Sequence, residues 1–100
     1  MPKVSITIPH VLGRDVAAER LKHFMERLKE KHQDKVGDLQ EEWSGDTMKF
    51  SFTTFGFKIS GTGALTESDV KMDIDLPFAA MMFKGKIESE IRETLTRILQ

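Results

Sequence analysis

The stretch Val70-Lys-Met-Asp-Ile-Asp-Leu-Pro-Phe-Ala-Ala-Met-Met-Phe83 decides the fold, because its hydrophobic period changes within a few residues. Val70, Met72, Ile74 and Leu76 alternate with Lys71, Asp73 and Asp75, which is the period of a strand with one buried and one wet face. After Pro77, a residue suited to a first helical turn, Phe83, Ile87, Ile91, Leu95 and Ile98 recur at the spacing of an amphipathic helix. Gly85 is a candidate bend within it. A half-buried strand followed by a one-sided helix specifies a two-layer α+β arrangement.

The same reading extends toward the N-terminus. Val4, Ile6 and Ile8 alternate with Ser5 and Thr7 up to Pro9, a first strand. Val16, Ala17, Leu21, Phe24, Met25 and Leu28 form the apolar stripe of a first helix, and helix-compatible residues continue to Lys35 before Gly37. A helix over 13–36 would be about 35 Å long against about 23 Å for a seven-residue strand, so one end should overhang or fray. Leu39, Glu41 and Trp43 share one parity of a second strand. Ser44-Gly45-Asp46 then makes a turn into a third strand carrying Met48, Phe50 and Phe52. The parity slips near Thr54, Phe55 and Gly56. Phe57, Ile59, Gly61, Gly63 and Leu65 share a face beyond it, and Glu67-Ser68-Asp69 turns into the strand that opened the reading. The order is β-α-β-β-β-β-α, with an antiparallel sheet and both helices on one face. Residues 1–100 read as one domain, since a chain of 100 residues suffices for one such core and not for two.

Composition narrows the function classes. Fifteen basic and sixteen acidic residues leave a net charge of −1, so no global field draws in nucleic acid or anionic lipid. The chain has no cysteine, which suits a reducing compartment. Residues 1–10 lack the apolar run of a signal peptide, and no apolar stretch approaches the ~20 residues that span a bilayer. The expected location is cytoplasmic.

Catalytic chemistry has little to build on. His10, His23 and His32 show no paired metal-ligand spacing, and His23 and His32 read as surface residues of the first helix. His10 sits at a strand-to-helix junction, where it is either a ligand anchor or a residue bonding backbone amides. Asp73 and Asp75 share a strand face with Lys71 and lack a third ligand, so a solvated face is the expectation. Gly56, Gly61 and Gly63 lie within or beside strands rather than before a helix, which excludes a phosphate-binding loop and suggests close helix packing. Phe50, Phe52, Phe55 and Phe57 could stack bases, but Phe50 and Phe52 share Met48's parity and belong beneath the helices. Trp43 reads as a core anchor beside the turn, with an interface as the alternative. The chain is expected to have no catalytic residue, cofactor or metal.

Several separated pieces resemble the polyhydroxyalkanoic acid system family, small bacterial proteins associated with the polyester storage-granule machinery. They are His10 with Leu12, Trp43-x-Gly45-Asp46, Gly61, Leu76-Pro77-Phe78, and Lys84-Gly85-Lys86-Ile87-Glu88 with Ile91 and Leu95. Ala79 to Met82 is bulkier and richer in Met than the family pattern. The resemblance implies a role at or near a hydrophobic granule, with the granule or a granule protein as partner.

The segment Leu76 to Phe83 has more apolar residues than one helix face against one sheet can cover. Phe83 is expected to continue the core stripe, whereas Phe78, Met81 and Met82 are expected to form a contact surface, Met supplying adaptable apolar contact. The alternative buries them as a plug at the open end of the sandwich. A nonenzymatic binding or structural protein is therefore the first reading. The second is a helix-grip-like carrier holding an acyl-type ligand between helix and sheet, with His10 and Trp43 as anchors. Homodimerisation is the third.

Overall fold

The computed structural model describes residues 3–31, 36–54 and 56–100. Five strands, β1 (Lys3–Pro9), β2 (Gly37–Ser44), β3 (Thr47–Thr54), β4 (Phe57–Leu65) and β5 (Asp69–Asp75), form one antiparallel sheet. Helix α1 (Arg14–Lys31) follows β1, and helix α2 (Lys84–Ile98) ends the chain after a 3-10 turn at Phe78–Phe83. Class and element order are those read from the sequence. The strand order is β1-β5-β4-β3-β2, so the first strand closes the sheet beside the last and β2 forms the far edge.

Alternation does what the pattern requires. Val4, Ile6 and Ile8 are buried beneath the helices, as are Val70, Met72 and Ile74, while Lys3, Ser5 and Thr7 and Lys71 and Asp73 lie on the exposed outer face. Phe50 and Ile59 join them, and α1 supplies Ala17, Leu21 and Met25 at four-residue steps. Leu95 of the last helix and Leu99 just past its end complete the cluster, with Ile87, Ile91 and Ile98 half-buried against it. The expected outward turns Lys29 to Lys31 are exposed, and the expected extension over 32–35, with His32, lies outside the described residues. Val16 departs from the expected stripe: it is exposed, because the buried row runs through its neighbour Ala17.

Glycine is required inside the sheet, and the expectation of close helix packing is corrected at Gly61 and Gly63, whose nearest neighbours belong to β3 and β5. A Cβ at Gly61 would stand 2.5 Å from the Asp73 carbonyl oxygen and 2.8 Å from Cζ of Phe50. Only a bare Cα lets the Phe50 ring lie across β4. At the β2–β3 hairpin Gly45 has φ of 61°, a left-handed turn conformation that glycine adopts without a Cβ penalty.

Candidate functional site

Helix α2 does not begin at Pro77. The Ala80 amide donates to the Pro77 carbonyl at 2.9 Å, a three-residue closure, and α-helical geometry starts only at Lys84. This difference decides which side chains reach water. A 3-10 turn repeats every three residues, so side chains fall into three rows. In the row Pro77, Ala80 and Phe83, Ala80 is fully buried and Pro77 half-buried, while Phe83 at its end reaches solvent. The rows Phe78–Met81 and Ala79–Met82 face away from the core, leaving Phe78 79%, Met81 40% and Met82 86% exposed.

The expectation that Phe83 continues the core stripe is corrected by where α-helical geometry begins. Phe83 precedes the first α-helical residue and is 44% exposed. Its ring leans on Phe57 at the start of β4, with centroids 6.2 Å apart. Leu76 and Ala80, both fully buried, close this end of the sandwich instead. The apolar surface thus has a half-buried aromatic base, Phe57 with Phe83, and an exposed tip, Phe78 with Met82.

His10 is buried, with 8% exposure. Its Nδ1 accepts the Leu12 amide hydrogen at 3.2 Å, and its own amide donates to the Ser68 carbonyl at 2.9 Å, so it ties the β1–α1 junction to the β4–β5 turn. Its Nε2 has no hydrogen-bond partner among the described residues. Trp43 is half-buried. Its Nε1 donates to Oε2 of Glu41 at 3.0 Å, and the Lys22 ammonium lies 4.8 Å from the ring centre, so indole edge and face are both engaged within the fold.

The structure does not bring these two anchors together. His10 follows β1 and Trp43 lies on β2, the two edge strands of a five-stranded sheet, four strand spacings or about 19 Å apart. Between them the helix-facing side of the sheet is filled by Phe50, Ile59, Met48 and Met72. A groove lined by Arg20, Arg27, Arg97 and Phe24 opens to solvent between the two helices rather than between helix and sheet.

The other candidates have ordinary structural partners. Oδ1 of Asp73 accepts the Ser5 hydroxyl at 2.7 Å across the β1–β5 ladder, on the outer face. Phe50 and Phe52 stack on each other at 6.1 Å, Phe50 buried and Phe52 half-buried under the helices. Phe55 lies outside the described residues. Among the described residues no three His, Asp or Glu side chains gather as a metal-binding group. No helix among them is long and apolar enough to cross a membrane.

A family model for polyhydroxyalkanoic acid system proteins, named for the granule region, matches residues 4–99. The chain belongs to this family. No curated protein matches the chain.

Proposed function

We propose that this member of the polyhydroxyalkanoic acid system family is a nonenzymatic binding or structural protein whose 3-10 turn contacts a hydrophobic surface, that of the polyester granule or of a granule protein. The carrying observation is the outward presentation of Phe78, Met81 and Met82 on a turn where buried Ala80, with Leu76, already closes the core. A core needs none of these three side chains. Large apolar groups held together in water mark a place where another apolar body docks, and the thioethers of Met adapt to an irregular one. Family membership supplies the setting and supports a cytoplasmic location at the granule as part of this reading.

The carrier reading has less behind it, since its two anchors stand at opposite edges of the sheet and bulky side chains fill the space between. Met81→Glu combined with Met82→Glu tests the proposal. The double variant should keep its circular dichroism spectrum, because both side chains reach solvent, yet lose co-sedimentation with polyester particles, because a charge pressed against apolar surface is heavily penalised. A folded variant that binds the particles as well as wild type would eliminate the turn as the contact.

A further inference from the structure

The exposed turn runs directly into two lysines. Lys84 and Lys86 occupy the first turn of α2, which contains no acidic residue and has no side-chain cap. That placement opposes stability: a helix N-terminus carries partial positive charge and favours Asp or Glu, so two cations there repel it. Among the described residues neither lysine has a carboxylate partner. Glu88, the nearest acid along α2, is engaged by Arg92 at 3.6 Å. Asp75, at the end of β5, stands opposite Lys3 in the β1–β5 register.

A locally unfavourable charge placement beside a locally unfavourable apolar exposure has one economical physical explanation, which is that both are relieved by the same occupant. We infer that the occupant is an anionic lipid surface, with Phe78 and Met82 entering its apolar layer while Lys84 and Lys86 meet the negatively charged headgroups. An apolar tip followed directly by two lysines suits a lipid interface, where long lysine stems reach back to the charged layer. A second copy of the chain would bring lysine against lysine wherever the two-fold axis passed through the turn, and a bare neutral polymer would leave the cations without counter-charge. This inference rests on the proposed function and adds the chemistry of the surface.

Co-sedimentation of the purified chain with phosphatidylcholine vesicles, with and without phosphatidylglycerol, tests it. The wild type should bind the phosphatidylglycerol vesicles more tightly and lose that preference at high salt. Each lysine near such a surface contributes about fivefold in affinity, so Lys84→Gln with Lys86→Gln should weaken binding to the anionic vesicles about 25-fold. The same variant should bind neutral polyester particles like wild type. Equal binding to both vesicle types, binding to neither, or an unaffected glutamine variant would overturn the lipid assignment. If polyester particles still bind in a Met81- and Met82-dependent way, the proposed function stands without it. Concentration-dependent self-association abolished by Met82→Ser, with no vesicle binding, would overturn it in favour of a dimer.

Discussion

Nη1 of Arg20, on α1, donates a hydrogen bond at 2.9 Å to the carbonyl oxygen of Ile98, the last residue of α2. The same nitrogen reaches the Gln100 carbonyl at 2.8 Å. The last carbonyls of a helix have no partner within it and carry partial negative charge, so the cation satisfies them and ties the two helices together. Because α2 carries the apolar turn at its other end, this contact also fixes how that turn is presented.

Arg20→Met should therefore destabilise the chain by about 1 kcal/mol, which for a domain of this size lowers Tm by about 4–8 °C. Arg20→Lys should fall between the two, retaining the charge and losing the planar fork. Thermal melts showing no shift for Arg20→Met would mean that α2 is held without this cap.

Gly61 and Gly63 lie two residues apart on β4 and should respond differently to the same methyl group. At Gly61 a Cβ meets the backbone oxygen of Asp73 at 2.5 Å, which moves only if β5 moves. At Gly63 it meets the Met72 sulfur at 2.8 Å and Cγ of Met48 at 3.1 Å, both on flexible side chains. Overpacking typically costs about 1–3 kcal/mol. Gly61→Ala should reach or exceed the upper end, and Gly63→Ala should stay near the lower. Urea midpoints in the reverse order would contradict the packing described at these strands.

Among aliphatic truncations, Ile59→Ala and Ile74→Ala should each cost about 2–5 kcal/mol, since both side chains are fully enclosed. Ile91→Ala should cost less, because α2 leaves that side chain half-buried. Chemical denaturation that ranks Ile91 first would show that α2 carries more of the core than its exposure indicates.

His10 offers a prediction about one hydrogen bond. Its Nδ1 holds the Leu12 amide, so His10→Ala leaves that amide without its acceptor, at about 1–3 kcal/mol. In His10→Asn the side-chain oxygen can take the Nδ1 position, and the buried Nε2 that lacks a partner disappears. The asparagine variant should be the more stable of the two by urea unfolding. Equal losses would show that the imidazole matters through its volume and not through the amide bond.

The elements were legible because β1 and β5 keep one parity buried for their whole length, and Val70 to Leu76 shows this without interruption, whereas β2 has no buried residue and β3 loses the alternation after Phe50. The turn at Gly45 was legible from residue chemistry alone. The geometry of Phe78–Phe83 was not, because a stretch apolar at nearly every position has no phase and cannot distinguish three residues per turn from 3.6. Phe83 was misassigned for that reason, and Val16 because it neighbours the true row at Ala17. The separation of His10 from Trp43 depends on β1 pairing with β5, a contact between distant parts of the chain that no local pattern records. The exposed tip at Phe78, Met81 and Met82 was visible as a surplus of apolar residues, though the row that would face inward was not.

The pairing of β1 with β5 also sets the order in which the molecule can assemble. Lys3 finds its neighbour only at Asp75, whereas β2 to β5 form a meander of consecutive hairpins. Long-range closures are slow because a large loop must be ordered before any contact rewards it. On the ribosome the first strand emerges earliest and waits longest, and until it docks, the β5 edge of the meander is an unpaired ladder. Refolding rate should accordingly respond to changes in the β3–β4 and β4–β5 turns, and unfolding rate to changes in β1.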